Sequence, residues 1–157
     1  MKFSTRHDIE APIDFVFQQS TDFVGFERQA LRRGIDVGRA DAAGGEGVGM
    51  KWNATFTFRG KTRKIQAELT KIEPAQFLQI FFVSGGIRGE LDIELLALSR
   101  NQTRVKAGLL LKPDTLSARL LIQSLKFAKG NLTARFKTRI QQFGTDVEDR
   151  YRKSTTA

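Results

Sequence analysis

The sequence predicts an α+β fold in which antiparallel strands wrap one long C-terminal helix. Three observations predict it. Leu121, Leu125, Ala128, Leu132, Phe136, Ile140, Phe143 and Val147 recur at steps of three and four, which keeps them on one face of a helix. From Val48 to Lys112 the pattern is two-residue alternation, as in strands with one buried face. Ahead of both lie one short strand and two short helical segments. At 157 residues the chain fits a single domain able to bury a core. That domain is expected over residues 1–150, with a flexible tail at 151–157.

In order, Phe3, Thr5, His7 and Ile9 alternate with Lys2, Ser4, Arg6 and Asp8, a strand with one inward face. Ala11-Pro12 ends it and opens a helix, since proline suits a first helical turn. Ile13, Val16 and Phe17, then Phe23, Phe26 and Leu31, mark two short helices broken near Thr21-Asp22 and stopped by Gly34. A weak strand at Ile35 to Ala40 precedes the glycine-rich loop Ala42-Ala43-Gly44-Gly45-Glu46-Gly47. Val48, Met50, Trp52, Ala54, Phe56 and Phe58 then share one face, and Gly60 turns the chain. Ile65, Ala67 and Leu69 mark the next strand, ended by Glu73-Pro74.

Phe77 to Val83 is apolar on both faces, as in an inner strand covered on both sides. Gly85-Gly86 is a hairpin signal. Ile87, Leu91, Ile93 and Leu95 alternate with charged residues, and Val105, Ala107, Leu109 and Leu111 point inward from the last strand. The long helix runs from Asp114, its expected N-cap after Pro113, to Arg150. At about 1.5 Å per residue it would span roughly 50 Å, far beyond a body with a radius of gyration of ~15 Å. It must overhang or bend, and Gly130 is the expected bend.

The order of elements and several short motifs resemble the START-like superfamily, the polyketide cyclase/dehydrase and lipid-transfer group. The matching residues are Ile9-Glu10-Ala11-Pro12 with Val16-Phe17 and Asp22, Gly47-Val48-Gly49 before Trp52, Glu73-Pro74, and Asn101-Gln102-Thr103-Arg104-Val105. The resemblance implies the helix-grip fold: a curved seven-stranded antiparallel sheet around the C-terminal helix, with a cavity between them for an apolar or amphipathic ligand. It implies no single function, because members include lipid carriers, hormone receptors, cyclases, ubiquinone-binding proteins and ribosome-associated factors. It supplies no universal catalytic residues either.

Composition narrows the chemistry. Cysteine is absent, which removes disulfides, thiolate catalysis and thiolate-held metals. The one histidine makes a zinc site or a Ser/His triad an unpromising reading, so no metal and no cofactor are expected. The first residues lack the apolar core of a signal peptide and no apolar run is long enough to span a bilayer, so a cytoplasmic protein is expected. A net charge of +9 favours nucleic acid, a ribosomal surface, an anionic membrane or an acidic small molecule as partner. The plain alternative is a soluble protein that happens to be basic. Neither a helix-turn-helix nor an aromatic RNA-binding motif is present to support nucleic acid.

Candidate pocket residues are His7, Trp52, Phe56, Phe58, Arg63, Phe77, Phe81, Leu91 and Leu109, which either line a cavity or fill a close-packed core. His7 is the only candidate general base, yet no carboxylate stands two residues away to orient it. The commoner role for such a histidine is a satisfied core or rim residue. Arg63 shares the inward parity and must reach the rim or meet an anion. Counting turns places Arg59, Lys61, Lys64, Arg88 and Lys112 at one end of the sheet with the start of the long helix, an expected basic pocket mouth. The leading functional expectation is binding, transport or sensing of a lipid-, quinone- or polyketide-like molecule. The alternatives are a cyclase or dehydratase acting on such a molecule, and a basic module for membrane or RNA.

Overall fold

The computed structural model describes residues 1–41 and 46–156. Most of the glycine-rich loop, at 42–45, therefore lies outside the described residues. The first strand β1 (Lys2–Ile9) leads to helices α1 (Ile13–Ser20) and α2 (Phe23–Arg32). Strands β2 (Asp36–Arg39), β3 (Lys51–Phe58), β4 (Lys61–Glu73), β5 (Phe77–Ser84), β6 (Ile87–Ser99) and β7 (Gln102–Pro113) follow. Two C-terminal helices, α3 (Leu116–Phe127) and α4 (Lys129–Thr155), end the chain. The seven strands form one antiparallel sheet in the order β1-β7-β6-β5-β4-β3-β2. This is the helix-grip α+β fold.

Local chemistry sets these boundaries. Asp22 caps α2, its Oδ1 accepting the Gly25 amide at 3.1 Å. The β3–β4 turn uses left-handed Arg59 and Gly60, and the β5–β6 turn uses Gly85 and Gly86, a pairing that suits the twist of two-residue hairpins. A bulge in β4 between Leu69 and Lys71 shifts the register against β5. Leu69 faces inward opposite Ile80, and after the extra residue Ile72 faces inward opposite Leu78. Such a bulge bends its strand and raises the twist, which helps the sheet curve. The Phe82 ring lies over Gly89 across the β5–β6 pair, where an added Cβ would stand 1.9 Å from Phe82 Cζ.

The expected single long helix is two. The break falls at Ala128 (φ −103°, ψ 13°), two residues before Gly130, which lies in the first turn of α4. The N-cap is Thr115, whose Oγ1 accepts the Ala118 amide at 3.1 Å, while the carboxylate of Asp114 pairs with Arg88 at 2.8 Å. Burial is also distributed differently from the expected stripe. Leu132 and Phe136 are only half-buried, whereas Ala118, Ile122 and Leu125 of α3 and Gly144 and Val147 of α4 are buried. The helix continues through Thr155, past the Arg150 boundary expected from periodicity.

Helix α4 packs chiefly on β1. The contact is closest at Gly144, where an added Cβ would fall 2.5 Å from His7 Cδ2 and 3.2 Å from Ile9 Cγ1. Val147, one turn on, is fully buried in a cluster with Ile9, Ala11, Val16, Leu95 and Val105. On the outer face of the same strand, Arg104 Nε donates to Asp8 Oδ1 at 2.8 Å across the β1–β7 pair. That hydrogen bond is the largest influence holding the Asp8 carboxyl below its ordinary range, with partial desolvation working against it.

Two outcomes test this packing. Gly144→Leu should destabilise the chain by about 1–3 kcal/mol through overpacking against His7. The double variant with His7→Ala should recover part of that loss in a denaturant titration, and strictly additive effects would mean that the two sites do not touch. The Asp8–Arg104 pair, with its lowered folded-state pKa, contributes stability above about pH 4 that fades as the pH falls through the carboxylate range. In Arg104→Gln the Asp8 carboxyl should titrate higher, back toward the ordinary carboxylate range, as followed by carboxyl NMR. No movement would show that the pair is not what lowers it.

Candidate functional site

The sheet's concave face is not filled by the helices that cover it. A cavity of about 550 Å³ lies between that face, α2 and the second half of α4. Its floor is built from inward positions on successive strands: Trp52 and Ala54 of β3, Ala67 of β4, Leu78 and Ile80 of β5, Leu91 and Ile93 of β6. Alternation along each strand aims these side chains the same way, and the pairings Trp52–Ala67 and Ile80–Leu91 place them side by side. The small side chains Ala54 and Ala67 leave the space open.

Phe23, Phe26 and Ala30 of α2 form one wall, and Ile140 and Phe143 of α4 form the other. The Phe26 and Phe143 rings form a tilted pair with centroids 6.2 Å apart, joining the two walls. Polar side chains gather at the rim, where Arg33, Arg139, Gln142, Asp146 and Arg150 are exposed. Arg150 donates to Gln19 Oε1 at 2.8 Å, tying α4 to α1. The mouth therefore opens between α2 and α4, with an apolar interior and a polar edge.

Trp52 organises the inner wall. It is 8% exposed and packs on Phe23 with ring centroids 5.5 Å apart. The Arg39 guanidinium lies 5.8 Å from its ring centroid. Its indole N–H donates to Glu27 Oε1 at 2.7 Å, so this half-buried carboxylate of the α2 wall is engaged with a buried donor.

A second, smaller cavity of about 190 Å³ lies under the α3–α4 junction, lined by Phe3, Phe58, Leu109, Leu111, Leu125, Leu132 and Phe136. Of the pocket residues expected from sequence, Trp52 and Leu91 line the larger cavity, and Phe58 and Leu109 line the smaller one. His7 is half-buried beneath Gly144 and lines neither. Phe56 and Arg63 are half-buried partners across β3–β4, also outside both linings. Arg63 Nε donates to the Phe58 carbonyl at 3.4 Å and its guanidinium lies 5.8 Å from the Phe58 ring centroid, so it ends on an aromatic face at the rim.

Two positions need correcting. Phe77 and Phe81 lie on the outer face of β5, because Leu78 and Ile80 take the inward parity. Phe77 carries the Lys71 ammonium 5.3 Å from its centroid, and Phe81 is 37% exposed. The expected basic mouth is displaced as well. Arg59, Lys61, Lys64, Arg88 and Lys112 are exposed and none lines the larger cavity. Arg59 Nη1 donates to Ser124 Oγ of α3 at 2.8 Å, and Arg88 is held by Asp114.

Sequence reasoning missed the strand positions Ala54, Ala67, Leu78, Ile80 and Ile93, and the whole helical part of the lining: Phe23, Phe26, Ala30, Ile140 and Phe143. The three- and four-residue spacing of the helical residues was visible, but the same spacing marks any helix face packed on a core. Among the described residues, no group of three or more His, Asp or Glu side chains is placed to hold a metal ion. No helix among them is long and apolar enough to cross a membrane.

No protein-family model matches the chain, and no curated protein sequence matches it. Solved structures do. The TTHA0849 protein of Thermus thermophilus has a TM-score of 0.68 at 15% identity, covering 94% of this chain and 97% of that one. The Zhui aromatase/cyclase of a Streptomyces species has a TM-score of 0.66 at 11% identity, covering 96% and 94%. A point mutant of norcoclaurine synthase from Thalictrum flavum, in complex with a transition-state analogue, has a TM-score of 0.69 at 11% identity, covering 96% and 95%. These likenesses span the whole fold and, at such identities, show the fold alone.

Glu27→Ala should leave the buried indole donor without an acceptor and cost about 1–3 kcal/mol, with a shift in Trp52 emission. Glu27→Gln keeps an acceptor and should retain most of that stability. Equal losses in both variants by denaturant titration would show that charge, not the hydrogen bond, is what the indole needs.

Proposed function

We propose that the chain binds a hydrophobic or amphipathic small molecule, of the lipid, quinone or polyketide-like class, in the larger cavity. The observation that carries this reading is an apolar space of about 550 Å³, within the size range of small-molecule sites. Well-packed interiors leave few voids larger than a water molecule, so an opening of this size needs an occupant or a reason. The rim adds orientation. Arg33 and Arg139 carry no salt bridge among the described residues, so an apolar body inside and a polar or anionic group at the edge suit the surroundings.

Binding is favoured over catalysis by what faces the space. Glu27 is committed to Trp52, Asp146 sits exposed at the rim, and the single histidine is outside the lining. The Zhui protein is named as an aromatase/cyclase and the Thalictrum protein as a synthase, so the fold itself accommodates chemistry. A reaction here would require an acid or base presented to the ligand, and Asp146 at the edge is a lining carboxylate with no hydrogen-bonded partner among the described residues. The smaller cavity is too confined for a ligand of this class.

The test is to fill the space from its floor. Ala54→Leu and Ala67→Leu, made separately, place a larger side chain in the cavity from adjacent strands. Each should weaken binding of the anionic apolar probe anilinonaphthalene sulfonate by roughly tenfold or more, while thermal unfolding shows the fold intact. Energy transfer from Trp52 to the probe should fall in parallel. Unchanged affinity in both folded variants would put the probe elsewhere and sink the reading. Mass spectrometry of extracts from the purified chain then identifies the natural occupant.

A further inference from the structure

Helix α3 is apolar on two opposite faces, and among the described residues only one of them has a partner. Ala118 and Ile122 are buried in a cluster with Ile87, against which Met1 and Leu111 pack, and Leu125 is buried beside the smaller cavity. Directly opposite, Leu116, Leu120 and Phe127 fall within one narrow stripe at four- and seven-residue spacing. They are 72%, 59% and 95% exposed. The break at Ala128 leaves Phe127 standing at the outer corner where the two helices meet.

The charge around this stripe has one sign. Arg119 and Lys126 flank it on the same helix, Lys129 follows in the first turn of α4, and all three are exposed. Arg59 reaches α3 from the β3–β4 turn, its guanidinium bound to Ser124, and Lys61 stands beside it in that hairpin. From Leu116 to Thr145 the chain contains no acidic residue. The nearest carboxylate ahead of the helix, Asp114, is neutralised by Arg88.

We infer that the outer face of α3, with the β3–β4 turn beside it, docks on an anionic lipid bilayer. A surface helix with exposed leucine and phenylalanine and a basic flank is what the headgroup–acyl boundary accepts, the apolar stripe entering and the bases staying among the phosphates. A second copy of the chain is a poorer occupant, because a two-fold contact through this face would bring Arg119 and Lys126 against their own equivalents. Nucleic acid would satisfy the bases but leave the apolar stripe against water. With only three apolar side chains the attachment is peripheral and reversible, and it depends on anionic lipid. The face lies on α3 rather than at the α2–α4 mouth, so this inference stands independently of what the cavity holds.

Co-sedimentation of the full chain with vesicles tests it. Vesicles containing phosphatidylserine should retain the protein, and pure phosphatidylcholine vesicles should retain it at least about tenfold more weakly. Leu116→Ser, Leu120→Ser and Phe127→Ser combined, all at exposed positions, should reduce binding by roughly tenfold or more. Arg119→Gln with Lys126→Gln should reduce it by about fivefold per base at low salt and flatten its salt dependence. The cavity variant Ala67→Leu should bind vesicles as the parent does. The inference fails if the parent chain stays in the supernatant with anionic vesicles, or if the triple variant sediments equally. It fails too if ultracentrifugation shows a dimer that the triple variant dissolves without any vesicle binding, which would assign the face to a second copy.

Discussion

The close seat of α4 on β1 is the constraint on which the rest of the structure depends. A helix approaches a sheet only as far as the side chains between them allow. At Gly144 that barrier is missing, so the helix backbone rests on the His7 ring and the Ile9 side chain, and Val147 locks the next turn into the buried cluster around Ile9 and Val105. Because α4 is pinned to one edge of the sheet, it cannot also cover β3, β4 and β5. That half of the concave face is left to α2, whose wall stands off from the small side chains Ala54 and Ala67. The cavity follows from where the helix is fixed more than from any residue that lines it.

Much of this architecture was legible because it rests on local signals. Alternation, turn glycines and the Asp22 cap are short-range patterns with short-range causes, and they located the elements to within a few residues. The break was legible to within two residues, from the excess length of the helix and from Gly130, but it falls on Ala128, by propensity the best helix former. What ends α3 is tertiary: its buried face serves the β7 side of the sheet, and α4 must turn away to reach β1. Propensity loses to packing there, as it commonly does.

The candidate site was less legible than the fold, for two physical reasons. Strand β5 is apolar on both faces, so its sequence holds no parity, and only the register against Leu69 and Leu91 settles that Leu78 and Ile80 face inward. Phe77 and Phe81 looked equally eligible. The second reason is that a void is a property of several elements together. Phe23, Ala30, Ile140 and Phe143 carry the same spacing whether they touch a core or line a space. The turn count did group the basic residues correctly at one end of the sheet, but that end adjoins α3, and the opening lies along the flank between α2 and α4.

Strand β1 also carries a consequence in time. Its one neighbour in the sheet is β7, and the amino group of Met1 bonds to the carbonyl of Leu111, 110 residues away. Strand β1 therefore has nothing to pair with until most of the chain that follows it has left the ribosome, and the helix that seats on it comes later still. Such long-range closure makes folding slow relative to helical proteins of the same size. Meanwhile Phe3 and Ile9 wait uncovered, an interval in which nascent copies are exposed to aggregation or to capture by chaperones.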